Sequence, residues 1–210
     1  MAPAGHQGLR RRPRPLLYVA HPHTAGRSAR RVPERPSDIT PGRRYVTLLR
    51  RAGRPLVYVT FGTVFNQDLT TITTVVEGVR ELDIDVLVTL GPGTDPAGLG
   101  AQPDNVNVRD YVPQEETLAR AVAVVSHAGS GTFLAALAHG LPQLALPQAA
   151  DQFLNAHAAA SAGVAREIAP GEITAERVRA ELQRVLGDRS IADTALQKRT
   201  SEACCGGVGT

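Results

Sequence analysis

Residues 122–139 narrow the possible folds more than any other stretch, because a short apolar run there meets a glycine turn and then a helix. Val122 to Ser126 is a short continuous apolar run, the pattern of a strand covered on both faces. His127-Ala128-Gly129-Ser130-Gly131-Thr132 follows at once, and Phe133 to His139 reads as a helix. The first N–H groups of a helix have no partner within it. The helix dipole adds partial positive charge at the same point, so such a turn suits an anion, and a phosphate is the natural candidate. A plain tight turn with no ligand is the simpler alternative at this level.

The same alternation continues on both sides. Strands are expected at Leu56–Val59, Asp85–Leu90, Asn105–Val112 and Gln143–Leu146, with turns at Gly62 and Gly91-Pro92-Gly93. Leu69, Ile72, Val75, Val76, Val79 and Leu82 recur every three or four residues, which marks a helix with one apolar face. Shorter helices are expected over 115–121 and 155–162, the second stopped by Gly163. Thr174 can cap a last helix carrying Val178, Leu182, Val185 and Leu186 on one side. Strands and helices in alternation predict an α/β fold, a Rossmann-like parallel sheet with helices on both faces. Ligands of such sheets lie at the carboxyl ends of the strands. Gly62-Thr63, Tyr111-Val112 and the His127 turn all fall there, so they are able to converge.

These residues carry a resemblance. The pieces are Tyr111-Val112-Pro113-Gln114, His127-x-Gly129-x-Gly131-Thr132, Gly140-x-Pro142, Pro147 and Asp151-Gln152-x-x-Asn155, in one frame across about 45 residues. Together they resemble the donor-binding signature of inverting, two-domain (GT-B) nucleotide-sugar glycosyltransferases. More narrowly, they are similar to the C-terminal half of bacterial antibiotic and macrolide glycosyltransferases of the erythromycin desosaminyltransferase type. With its flanking elements the likeness covers roughly Pro55 to Asp188.

The resemblance implies roles residue by residue. Thr63, His127, Gly129, Ser130, Gly131 and Thr132 would hold the donor diphosphate. Tyr111 would stack on the base, with Val112 and Gln114 beside it. Asp151 and Gln152 would bind hydroxyls of the transferred sugar, a task that suits a carboxylate acceptor paired with an amide that both donates and accepts. Many relatives carry a glutamate on the ribose where this chain has Ala135, which favours a dTDP-sugar over a UDP-sugar. The implied reaction is inverting transfer of a hexose to an acceptor hydroxyl, a natural product being the expected acceptor, with no cofactor and no metal. The general base is expected from an N-terminal acceptor domain, and no catalytic residue is assigned in this chain. A nucleotide-sugar-binding fragment that needs a separate acceptor-domain chain is the alternative. A third reading is half of a lipid-intermediate glycosyltransferase.

Length and charge set the frame for these expectations. With 210 residues the chain is one ordinary domain, about half of what a two-domain transferase needs, and a truncated protein is the expectation. Residues 1–54 hold thirteen arginines against Glu34 and Asp38, a balance of +11, so within a net charge of +3 the remaining residues sum to −8. This leader also has seven of the fifteen prolines and is read as an extended or disordered linker remnant. Nucleic acid is not an expected partner. The domain follows over 55–188, and 189–210 is expected to be a frayed tail. No apolar run approaches the ~20 residues that span a bilayer. Cys204 and Cys205 are adjacent and cannot staple a fold, so a reduced, cytoplasmic setting is the simpler expectation.

Rival constellations fit less well. A Rossmann dehydrogenase would use Gly129-x-Gly131 with Asp151 on a ribose, but Leu134 stands where the third glycine belongs. No Gly-x-Ser-x-Gly elbow supports a serine hydrolase. His21 and His23 lack a third metal ligand, and Gly5-His6 is assigned no catalytic role.

Overall fold

A computed structural model of the chain describes residues 53–62, 69–91 and 94–205. In chain order the elements are β1 (Leu56–Thr60), α1 (Leu69–Val79), β2 (Asp85–Thr89), β3 (Val106–Arg109), α2 (Gln114–Leu118) and β4 (Ala121–Ser126). Then come α3 (Ser130–Ala138), β5 (Gln143–Ala145), α4 (Gln152–Ser161), β6 (Ala165–Glu167), α5 (Ala175–Gly187) and α6 (Arg189–Cys205). Short 3-10 segments at Pro96–Leu99 and Pro170–Glu172 lie between them. All six strands are parallel, in the order β3-β2-β1-β4-β5-β6.

That order is the doubly wound one, in which successive strands move outward to one side of β1 and then, from β4, to the other. The reversal opens a crevice between the carboxyl ends of β1 and β4, where Thr60 is level with Thr89 on one side and Ser126 on the other. Every residue of β1 and β2 is buried, as the Val-rich runs require of strands covered on both faces. On one face Ile72, Val75 and Val79 of α1 join Val178, Leu182 and Val185 of α5 over Val57, Val59, Val88 and Val125. On the other, Leu118 of α2 and Ala136 of α3 cover Tyr58, Leu87 and Val124.

Several boundaries move. The strand expected over Asn105–Val112 is paired only from Val106 to Arg109, so Tyr111 and Val112 belong to the loop beyond it. Helix α3 begins at Ser130 and α4 at Gln152, three residues earlier than expected in each case. Thr174 caps α5 as expected, its hydroxyl accepting from the Arg177 amide at 3.2 Å.

Two elements were not expected at all. β6 is three residues with charged Arg166 and Glu167, and among the described residues it pairs with β5 alone. Residues 189–205 form α6, where a frayed tail was expected, because Ile191 and Ala195 bury themselves one turn apart. Among the described residues no helix is long and apolar enough to cross a membrane. The expectations for residues 1–52 and for Thr63 lie outside the described residues.

Candidate functional site

The turn expected to hold a phosphate is built by the reversal from β4 into α3. Ala128 adopts a left-handed backbone, φ 61°, that alanine takes only under constraint. The Ser126 hydroxyl accepts from its amide at 3.1 Å, and its carbonyl accepts from Asn155 Nδ2 at 2.9 Å. Gly129 is the N-cap of α3 and no side chain caps the helix; its first intrahelical bond is Phe133 N–H to the Gly129 carbonyl at 2.9 Å. The amides of Ser130, Gly131 and Thr132 therefore reach no acceptor among the described residues and point out of the helix start.

His127 sits beneath this turn, half-buried, and its ring explains two glycines. A Cβ on Gly129 would overlap Nε2, and one on Gly62 would lie 3.0 Å from Cε1. Gly62 also has φ 77°, a region that penalises any other residue. The ring leans on Phe61, with centroids 6.4 Å apart. Nδ1 is buried and makes no hydrogen bond of good geometry among the described residues. Burial holds the His127 imidazole below its ordinary pKa near 6.5, outweighing the Thr60 backbone and the Asp151 charge, which pull the other way. His127 is thus neutral at pH 7, and the turn's positive character comes from the helix start.

A cleft of about 170 Å³ opens beside the turn at the carboxyl ends of β1 and β2. Tyr111, Val112 and Gln114 line it together with Thr132 and Gly62, so the expected base-binding residues and part of the phosphate turn share one cavity. Tyr111 is 59% exposed, and its amide is held by the Asp110 carboxylate at 2.8 Å. The Val112 side chain is in the core, which leaves its backbone for the cleft. Gln114 contributes a buried Nε2 that has no partner among the described residues. The cleft wall was not anticipated. It carries Tyr58, whose buried hydroxyl bonds Thr89 Oγ1 at 3.0 Å, and burial raises that phenol's pKa against the Thr89 bond. A tyrosine in the run Leu56-Val57-Tyr58-Val59 was the available signal, since a buried hydroxyl needs a partner.

The two expected sugar residues part company. Asp151 is exposed at the start of α4, and its Oδ2 accepts from Ser130 Oγ at 2.8 Å, which draws it to the phosphate turn. Gln152 turns inward and is 3% exposed. Its Oε1 accepts from the amides of Gln148 and Ala149 at 2.8 and 3.0 Å, so that oxygen is committed to holding the loop after β5. The expected helix start at Asn155 hid this, because Gln152 looked like a loop residue. Among the described residues no group of three or more His, Cys, Asp or Glu is placed to hold a metal.

Similarity to known proteins follows the same residues. The demethyllactenocin mycarosyltransferase of Streptomyces fradiae is 38% identical over 139 residues, 66% of this chain and 30% of that protein. The crystal structure of the glycotransferase of kitacinnamycin superposes with a TM-score of 0.70 at 32% identity, over 75% of this chain and 41% of that one. The glycosyltransferase VinC in complex with dTDP gives a TM-score of 0.66 at 30% identity, over 75% of this chain and 39% of that one. The chain spans about a third of the length of curated relatives such as these, 30% and 33% in two Streptomyces fradiae enzymes. A family model matches from α1 to the last residue of α6, residues 73–205, and the chain therefore belongs to the family of the erythromycin biosynthesis protein CIII-like C-terminal domain.

Proposed function

We propose that this chain is the donor-binding part of an inverting glycosyltransferase and holds a nucleoside diphosphate hexose for transfer to a small-molecule hydroxyl. The observation that carries the reading is convergence. A cleft with an exposed aromatic, a helix start with uncapped amides and a carboxylate tied to that helix start lie along one edge of the sheet. Base, diphosphate and hexose are joined in that order in the ligand. Donors already aimed at the diphosphate stabilise the charge that develops there as it leaves, and such preorganisation lowers the barrier.

The preferred donor is a dTDP-hexose. Ala135 lies on α3, packed against the core, and offers no carboxylate for a ribose 2′-hydroxyl. The dTDP complex of VinC supports the same choice. Asp151 is the sugar ligand; Gln152 would contribute through its amide nitrogen alone, its oxygen being engaged. A second reading is a binding module without turnover of its own. Calorimetry with dTDP, UDP and dTDP-glucose tests the donor reading, followed by product analysis with hydroxylated macrolide or flavonoid acceptors. Tighter binding of dTDP than UDP is expected, and no binding of either nucleotide would overturn the reading. Binding without transfer selects the module.

A further inference from the structure

We propose that Asn155 is a positioning residue that fixes the phosphate turn and the Asp151 carboxylate relative to one another. The inference rests on the donor reading above and adds a residue to which that reading gives no part. Asn155 lies one helical turn after Asp151 on α4, on the same face. Its Nδ2 is 2.9 Å from the Ala128 carbonyl, 3.2 Å from Ser130 Oγ and 3.4 Å from Asp151 Oδ2. An amide nitrogen has two protons for these three acceptors. The shorter distances assign them to Ala128 and Ser130, and Ser130 passes its own proton to Asp151 Oδ2 at 2.8 Å. A directed chain results, from Asn155 through Ser130 to Asp151. Among the described residues Oδ1 of Asp151 has no partner, so this chain leaves one carboxylate oxygen to a ligand.

The other end of the chain reaches a strained residue. Only two non-glycine residues among those described have positive φ, Ala128 at 61° and Ala150 at 53°. They stand at the two ends of this bridge, one in the phosphate turn and one directly before Asp151. Ala128 is 1% exposed, and nothing else among the described residues donates to its carbonyl. Loss of the Asn155 amide would strand a buried acceptor and release the constraint that keeps alanine left-handed. Asn155 thus sets the distance between the site of the diphosphate and the site of the hexose.

The test compares dissociation constants of dTDP and dTDP-glucose for the full chain and its variants. Wild type is expected to bind dTDP-glucose more tightly than dTDP, and their ratio measures the hexose contribution. Asn155→Ala should weaken dTDP by about tenfold, the scale of one buried hydrogen bond, and collapse the ratio toward one. Adding Ala128→Gly, which takes the left-handed backbone without steric strain, should restore dTDP affinity and leave the ratio collapsed. Ser130→Ala, which keeps the backbone amide, should lower the ratio even if Asn155→Ala fails to fold. An Asn155→Ala chain that keeps both constants overturns the proposal. So does a folded double variant with no recovery, or a Ser130→Ala chain with an unchanged ratio. A wild-type chain that binds neither ligand overturns the donor reading itself, and the inference with it.

Discussion

On one face of the sheet, α1 and α5 pack branched side chains against each other and against the strands, with Ile72 and Leu182 almost wholly buried. Gly78 allows the contact, since a Cβ there would lie 2.7 Å from the Ala175 carbonyl. Arg179 closes the joint by donating to the Gly78 carbonyl and pairing with Glu81. Nearby, Glu181 is 1% exposed; burial alone would raise its pKa, but Arg166, Arg184 and Arg177 outweigh that and hold it below the usual carboxylate range. On the opposite face, Leu118, Tyr58, Leu87 and Val124 pack beneath α2, but the region where α3 and α4 meet is built from small residues. Ala128, Ala145 and Ala156 form one cluster, and Ala159, Ala165 and Ala195 with Val164 form another. Small side chains let α3 and α4 approach closely, and that approach brings the start of α3 to Asp151. Large apolar residues dominate the first face, and small ones set the geometry of the second where α3 meets α4.

The largest effect that separates the faces is expected from Leu182→Ala. A buried leucine deletion costs about 2–5 kcal/mol, read as a lower Tm, while the dTDP affinity of the folded fraction stays as it was. A comparable loss of affinity would mean that the faces are not independent. Tyr111→Ala is the converse. The residue is mostly exposed, so stability should hardly move, while stacking losses weaken dTDP by about 1–3 kcal/mol. An unchanged dissociation constant would take Tyr111 out of the site.

A subtler test uses protons. His127 is depressed in the free protein, so it is neutral at pH 7 and a neighbouring diphosphate must raise its pKa. Binding should then take up part of a proton as pH falls from about 7 toward 6, and affinity should rise over that window. For folding the sign is opposite. The stability that neutral His127 contributes is present above its unfolded pKa, about 6.5, and declines as pH falls below it. Calorimetry in two buffers of different ionisation enthalpy reads the uptake, and His127→Gln should abolish it. Uptake that persists in the variant would belong to another group. The smallest expected change is selectivity. Ala135→Glu should move the ratio of UDP to dTDP affinity a few-fold toward UDP, and an unmoved ratio would remove Ala135 from donor choice.

The doubly wound sheet was legible because β1, β2 and β4 are runs of valine and leucine, and because Ile72, Val75 and Val79 keep a helical period. β6 escaped notice because Ala165, Arg166 and Glu167 carry no apolar pattern, and only pairing with β5 makes them a strand. α6 escaped because its burial depends on Ile191 and on Ala195, a methyl group that no periodicity argument registers. The phosphate turn and Tyr111-Val112 were visible as motifs at strand ends. The inward turn of Gln152 and the Asn155 bridge were not, since both depend on tertiary hydrogen bonds to residues 148–149 and 128–130.

A nucleoside diphosphate bound as proposed lies across the cleft with its phosphates at the start of α3. Amide shift mapping on the isotopically labelled chain during titration with dTDP measures that directly. The largest shifts are expected at Gly129 to Thr132 and at Tyr111 and Val112, with little change in α1 or α5. Shifts centred elsewhere, or none at saturating nucleotide, would contradict it.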